Sequence, residues 1–91
     1  MKKNVKIRVT GKVQGVFFRK NTQEQAQQIG IKGWVKNQGD GSVYIEAEGE
    51  ENVLNDFIAW CRKGPARANV TAVSVEEGVL NNYESFNIKR D

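Results

Sequence analysis

The sequence contains no histidine and a single cysteine, Cys61. These shortages exclude a histidine general base, a phosphohistidine intermediate, an internal disulfide, and a metal centre built from histidine or several cysteines. Cys61 falls on the apolar face of a predicted helix with nothing nearby to activate a thiolate, so we interpret it as a core residue. Any chemistry must therefore use other side chains or the backbone.

Proline occurs once, and no apolar run approaches the ~20 residues of a membrane span. The net charge of +3 comes from basic residues scattered between Lys2 and Arg90, which implies a modest attraction for anions and no nucleic-acid surface. The composition predicts one globular domain over residues 1–91, and we expect a monomer without a membrane partner. The lone cysteine and the lack of a signal-peptide pattern favour the cytoplasm.

Hydrophobic periodicity predicts two helices and five strands. The expected order is a strand from Asn4 to Val13, a helix from Arg19 to Gly30, an extended segment from Ile31, a turn at Gly39-Asp40-Gly41, a strand ending at Gly49, a helix closed by Gly64-Pro65, a strand from Val70 to Glu77, and a short last strand with Phe86 and Ile88. This order predicts an α+β fold of the ferredoxin-like split βαβ (βαββαβ) type. Its antiparallel-dominated sheet carries two helices on one face and a short extra C-terminal strand.

The same pattern predicts which side chains face inward. On the fourth strand we expect Thr71, Val73 and Val75 to point at the core. Strands 1 and 3 should be neighbours, and their outward charges should form a solvated, mutually neutralising face that disfavours RNA binding. Those outward charges are Lys6, Arg8, Glu46 and Glu48.

The stretch Gly11-Lys12-Val13-Gln14-Gly15-Val16-Phe17-Phe18-Arg19 joins the first strand to the first helix. The first N–H groups of a helix lack internal partners, and a turn opened by Gly15 can aim several of them at one anion. Arg19 would add a planar fork of donors that matches two oxygens of a phosphate or carboxylate. The alternative is an ordinary glycine turn followed by a surface arginine.

A second block reads Gly33-Trp34-Val35-Lys36-Asn37 and continues through Gly41 and Val43 to Gly49. In the split βαβ arrangement the second strand lies close to the loop after the first strand, so Asn37 is predicted to face the anion site. Taken alone, an asparagine before a Gly-Asp-Gly turn is more often a turn-forming residue.

Together, the two blocks resemble the two signatures of the acylphosphatase family, and the resemblance covers essentially the whole chain. It implies an enzyme that hydrolyses carboxyl-phosphate anhydrides such as acetyl phosphate without metal or cofactor, with inorganic phosphate as product and inhibitor. It also implies that Asn37 positions the attacking water. The phosphoryl group would be bound by the Arg19 side chain and by the backbone of Gln14, Gly15, Val16, Phe17, Phe18 and Arg19.

The residue types of this site restrict the reaction independently of the resemblance. An arginine, backbone amides and an asparagine can orient groups and stabilise charge, but none is a general base or nucleophile near neutral pH. Phosphoryl transfer tolerates such a site, and a carboxylate leaving group with a pKa of about 4 departs without a proton donor. The alternative function is a non-catalytic phosphate-binding or nucleic-acid-binding module of the same fold.

Overall fold

The computed structural model describes residues 1–90 of the chain. The elements are β1 (Lys2–Lys12), α1 (Phe18–Ile29), β2 (Lys32–Asn37), β3 (Val43–Glu50), α2 (Glu51–Lys63), β4 (Asn69–Gly78) and β5 (Phe86–Ile88). The strands form one sheet in the order β4-β1-β3-β2-β5, and every neighbouring pair is antiparallel except β2 and β5. The ferredoxin-like fold predicted from the sequence is therefore confirmed.

The core lies between the sheet and the two helices. α1 packs on β2 and β5, α2 packs on β1, β3 and β4, and the helices touch each other. The alternation along β1 buries Val5, Ile7 and Val9 beneath them, as strand periodicity requires. α2 buries Leu54, Phe57 and Cys61 on one face, so the interpretation of Cys61 as a core residue is confirmed. α1 has a thinner buried face, which consists of Phe18, Thr22 and Ala26.

The inward side of β4 differs from the prediction because a bulge interrupts its pairing with β1. Thr10 pairs with Ala72 while Gly11 pairs with Val70, which leaves Thr71 without an opposite residue. Val70 therefore packs against the core in the place expected for Thr71, which is exposed. Gly11 has φ 123°, and a side chain there would collide with the backbone of the facing strand, so glycine is required at this bulge.

The open face of the sheet also differs from the prediction. β1 and β3 are neighbours as expected, but the Glu46 and Glu48 residues are only 8% and 4% exposed. Neither carboxylate forms an ion pair with Lys6 or Arg8 within residues 1–90. Arg8 instead donates to Asp40 at 2.6 Å. The expectation of a solvated, mutually neutralising charge face was therefore wrong.

Glu46 and Glu48 are held by neutral donors, because the segment between β4 and β5 folds over them. The Asn4 side chain donates to both carboxylates at 2.9 and 2.7 Å. The Asn81 side chain and the Tyr83 hydroxyl donate to Glu46, while the backbone N–H groups of Asn81 and Tyr83 donate to Glu48. We call these five residues the buried carboxylate cluster.

Burial and hydrogen bonding act on Glu48 in opposite directions. Removal from water raises the pKa of the Glu48 carboxyl group, whereas the hydrogen bonds from Asn81, Asn4, Tyr83 and Asn82 lower it. The hydrogen bonds outweigh burial, so this pKa lies below its usual value of 4.5. The charged form is thus the one that the fold accommodates.

Trp34 lies on the same open face, next to the buried carboxylate cluster. Its ring stacks on Tyr44 with 5.6 Å between centroids, the Lys89 ammonium lies 4.3 Å from its centroid, and its Nε1–H donates to Tyr83. RNA-binding sheets of this type use aromatic rings that are free to stack on bases. Because the protein itself engages the indole, the arrangement favours the expectation of no nucleic-acid partner, which stays a prediction.

Candidate active site

The loop from Val13 to Phe17 joins β1 to α1 and contains two left-handed residues. Gly15 has φ 72°, and Phe17, the residue that precedes α1, has φ 61° and ψ 25°. Left-handed residues between helical ones turn successive N–H groups toward one side, which makes a concave anion site. Among the described residues no side chain caps the N-terminus of α1, and the first turn of this helix contains no acidic residue. The N–H groups at this end are therefore suited to an external anion.

A cleft of about 340 Å³ opens at this loop and brings the two sequence blocks together. Arg19 from the start of α1 and Asn37 from the end of β2 both line it. The proximity of these two residues, expected from the fold type, is thus present in the structure. The complete lining is Val13, Gly15, Phe17, Phe18, Arg19, Lys20, Asn37, Ile88 and Arg90.

Two neighbouring phenylalanines, one at the end of the loop and one at the start of α1, have opposite environments. Phe18 is 2% exposed and packs its ring against Trp60, whereas Phe17 is 65% exposed at the edge of the cleft. Burial of Phe18 anchors the start of α1 in the core. Val16 is also buried and, with Phe17, faces a separate groove near Trp60 and Pro65. The loop is therefore fixed on its inner side by Val16 and Phe18.

Gln14 does not line the cleft and instead fastens the loop to the turn between β2 and β3. Its Nε2 donates to the carbonyl oxygens of Gln38 at 2.8 Å and Ser42 at 2.9 Å. The Gln38 N–H in turn donates to the Ser42 carbonyl, which closes the turn. The sequence predicted only a backbone role for Gln14, and its side chain proves to link the strand end that carries Asn37 to the anion loop.

The turn is stiffened further by Asp40. The Ser42 N–H and hydroxyl donate to Asp40 Oδ1 at 2.9 and 2.6 Å, and Arg8 donates to Asp40 Oδ2. The hydrogen bonds from Ser42 and Arg8 hold the pKa of the Asp40 carboxyl group well below its usual range. Asp40 consequently stays charged, and the turn keeps these bonds, across the neutral pH range.

Asn37 presents an acceptor that the protein leaves unused. It is the last residue of β2 and pairs with Val43 in the sheet. Its side-chain oxygen Oδ1 is buried and has no hydrogen-bond partner within residues 1–90. An unpaired buried acceptor costs stability, so it requires an explanation. Asn37 itself lines the cleft beside Arg19, where a ligand with a hydrogen-bond donor would satisfy this oxygen.

The charged side chains that line the cleft are basic. Arg19, Lys20 and Arg90 all contribute to its lining, and no aspartate or glutamate does so within the described chain. Guanidinium groups and backbone N–H groups are the standard protein ligands of phosphate oxygens. The arrangement suits an anion with several oxygens, and it offers no side chain that acts as a base at neutral pH.

Other chemistry finds little support elsewhere in residues 1–90. That part of the chain contains no group of three histidine, cysteine, aspartate or glutamate residues able to hold a metal ion. Burial raises the pKa of the Cys61 thiol to about 12, so this side chain is a neutral thiol at physiological pH. Neither helix is both long enough and apolar enough to cross a bilayer.

Comparison with known proteins points to one family. A family model described as Acylphosphatase matches residues 5–88. The chain is 54% identical over 87 residues to an acylphosphatase of Thermotoga petrophila, an alignment that covers 96% of this chain and 97% of its relative.

Two solved structures give the same result in three dimensions. The crystal structure of acylphosphatase from Bacillus subtilis superposes with a TM-score of 0.94 at 41% identity, covering 99% of this chain and 100% of that one. The crystal structure of full-length HypF in the phosphate- and nucleotide-bound form gives a TM-score of 0.88 at 31% identity. That match covers 99% of this chain but 12% of HypF, so the similarity concerns one small part of the larger protein.

Proposed function

Because the chain belongs to the acylphosphatase family, we propose that it hydrolyses the carboxyl-phosphate bond of small acyl phosphates to a carboxylate and inorganic phosphate. The observation that carries the proposal is the cleft itself, where Arg19, a loop with left-handed residues and Asn37 meet. The side-chain oxygen of Asn37 has no hydrogen-bond partner within residues 1–90. The family makes the chain a hydrolase, and the cleft supplies groups that bind and orient a phosphoryl group.

In this proposal the phosphoryl group is bound at the start of α1. The Arg19 guanidinium donates to two of its non-bridging oxygens, and the backbone N–H groups of residues 14–19 donate to the same set. The dipole of α1 adds a favourable positive end at this point. Because the transition state of phosphoryl transfer is loose and its charge lies on the equatorial oxygens, these donors stabilise the transition state directly.

Asn37 is proposed to position the attacking water. Its Oδ1 accepts a hydrogen bond from water and holds the water oxygen in line with the bond that breaks. The unpaired state of that oxygen supports this role, because a side chain used only to form the turn would have a partner within the turn. The Gln14 contacts keep the strand end at a fixed distance from the phosphate loop.

The leaving group follows from what the cleft lacks. None of the described residues that line it is a carboxylic acid, tyrosine or cysteine that could donate a proton. A carboxylate departs without a proton because its conjugate acid has a pKa of about 4, whereas an alkoxide from a phosphate monoester requires one. The proton released by water is taken by a phosphate oxygen. Acyl phosphates therefore fit the cleft better than sugar phosphates.

The remaining expectations belong to the same proposal. The reaction needs no metal or cofactor, because positioning and charge stabilisation by the protein are sufficient for a good leaving group. The chain acts as a monomer in the cytoplasm, with an acyl phosphate as its substrate and phosphate as a competitive inhibitor.

The decisive experiment measures phosphate release from acetyl phosphate and benzoyl phosphate by the purified protein in the presence of EDTA. The matched control is Arg19→Lys, which keeps the charge but lacks the bidentate fork. Rapid release that the variant loses supports both the activity and the site. Loss of wild-type activity in EDTA contradicts metal independence. Phosphate binding by folded protein without turnover favours the non-catalytic phosphate-binding module.

A further inference from the structure

Arg90 reaches the candidate active site through the pairing of β5 with β2. In this parallel pair Ile88 lies opposite Val35, and the next N–H along, that of Lys89, donates to the Val35 carbonyl at 2.8 Å. This bond belongs to the last pair of the ladder, where β5 ends. Arg90 follows two residues after Ile88 and lines the same cleft as Asn37.

Side-chain alternation puts Arg90 and its neighbour on opposite faces of the sheet. Ile88 lies on the side of the buried Val35, whereas the Lys89 ammonium lies over Trp34 on the open face. Arg90 returns to the side of Ile88, and the two residues line the cleft together with Asn37. Consecutive basic residues are therefore separated by the sheet, and only the second one faces the cleft.

The charge of the substrate gives this position a role. A phosphoryl group at neutral pH carries up to two negative charges. Arg19 and Lys20 both line the cleft from the start of α1, but only Arg19 offers a bidentate fork of donors. The loose transition state spreads that charge over three equatorial oxygens, more than one bidentate guanidinium contacts. A second guanidinium, that of Arg90, lines the same cleft as Asn37 and can contact the remaining oxygen.

We propose that Arg90 is a second phosphoryl-binding cation, whose guanidinium contacts a non-bridging oxygen on the side of the phosphate that faces Asn37. This role rests on the proposed function, since it assigns a further residue to the same phosphoryl site. Arg90 binds the phosphate of substrate and product alike. Its removal therefore weakens phosphate binding as well as turnover.

The test measures binding of inorganic phosphate by calorimetry, which requires no catalysis. Arg90→Ala is compared with the wild type and with Lys89→Ala, a matched control that removes the same charge one residue away on the opposite face. We expect Arg90→Ala to weaken phosphate binding roughly tenfold, the loss typical of one charge-assisted hydrogen bond. Lys89→Ala should stay within about twofold of the wild type, because exposed charges at a distance are screened by salt. Circular dichroism verifies the fold of each variant.

The outcomes separate this inference from the proposed function. Equal phosphate affinity in Arg90→Ala and wild type overturns the role, and so does an equal loss in Lys89→Ala, which would indicate a general charge effect. Unchanged phosphate binding with a selective loss of activity toward succinyl phosphate, relative to butyryl phosphate, overturns it too, because Arg90 then contacts the acyl group. Phosphate binding that depends on Arg90 in a protein without hydrolytic activity refutes the proposed function and leaves the binding role intact.

Discussion

The cleft and the buried carboxylate cluster both take polar groups out of water, but they satisfy those groups differently. In the cluster, Glu46 and Glu48 receive hydrogen bonds from side chains and backbone on three sides. At the cleft, Asn37 Oδ1 has no hydrogen-bond partner among residues 1–90, and no side chain of that part of the chain caps α1. A satisfied polar group stabilises the fold, whereas an open one beside a cleft is available for a ligand.

The buried carboxylate cluster also contains one oxygen without a hydrogen-bond partner in the described chain. Asn4 Oδ1 within the cluster is also buried and without a partner among residues 1–90, and it lies against Gly78. Asn4 is not part of the lining of the cleft that contains Arg19. An unpaired oxygen by itself therefore does not identify a site, and what distinguishes Asn37 is its position in a cleft lined by Arg19 and by no acidic residue of the described chain.

The largest expected effect is that of Arg19→Lys. Loss of the bidentate fork should lower kcat/KM for acetyl phosphate by on the order of 10³. The free energy of unfolding should change by less than about 0.5 kcal/mol, because Arg19 forms no ion pair within residues 1–90. Steady-state kinetics and urea denaturation measure the two quantities. Retention of most activity would remove the fork from the mechanism.

Asn37→Ala tests the difference between a polar atom without a hydrogen-bond partner and the hydrogen-bonded carboxylates of the buried carboxylate cluster. The variant should lose kcat by a factor on the order of 10², with a smaller change in KM, because water positioning acts in the transition state. Its stability should be equal to or above that of the wild type, since an unpaired buried acceptor is removed. Near wild-type kcat would mean that Asn37 is an ordinary turn residue.

Gln14→Ala should lower both stability and activity, because the Gln14 side chain fastens the loop before α1 to the turn that follows Asn37. Removal of its two hydrogen bonds to the turn should destabilise the protein by about 1–2 kcal/mol. The kcat should fall about tenfold as Asn37 loses its fixed distance from the phosphate loop. Phosphate affinity should hold, since the backbone donors and Arg19 remain. A loss of phosphate affinity equal to the loss of kcat would indicate collapse of the loop instead.

Glu48→Gln should leave activity at neutral pH within about twofold and change only stability. The folded-state pKa of Glu48 lies below 4.5, so its contribution to stability is fully present above about pH 4.5 and is lost as pH falls through the folded-state value. The variant should be less stable at pH 7, because the NH2 group of the new amide is a donor and faces other hydrogen-bond donors. Its free energy of unfolding should also depend less on pH in acid. An acid profile identical to that of the wild type would exclude this residue as a source of acid sensitivity.

Local patterns in the sequence were enough to predict the two helices, the order of helices and strands along the chain, and a fold type that brings Arg19 and Asn37 together. The alternation along β1 and the apolar face of α2 depend only on residues close together in the sequence, so both elements can be predicted without knowledge of distant contacts. The order of the elements then restricts the topology to few choices. The pairing of the two blocks in one cleft follows from that topology.

The features that escaped prediction depend on distant contacts. Glu46 and Glu48 are charged residues at outward positions, and only the fold of the segment around Asn81 and Tyr83 buries them. The extra residue at Thr71 is fixed by the register with β1, and the side-chain role of Gln14 depends on carbonyl groups more than twenty residues away. Phe17 adopts a left-handed backbone that bulky residues avoid, because burial of its neighbour Phe18 fixes the loop.

The central position of β1 has a consequence for synthesis of the chain on the ribosome. β1 is made before the other four strands, yet it lies between β3 and β4, so both of its edges stay open until those later strands have emerged. In the pairing register, Lys6 of β1 lies opposite Glu46 of β3 on one edge and opposite Glu76 of β4 on the other. β1 thus leaves the exit tunnel before the other four strands but has both neighbours only after β4 has emerged. Nascent chains halted before β4 should consequently expose an apolar strand with an unpaired edge, the kind of surface that chaperones bind.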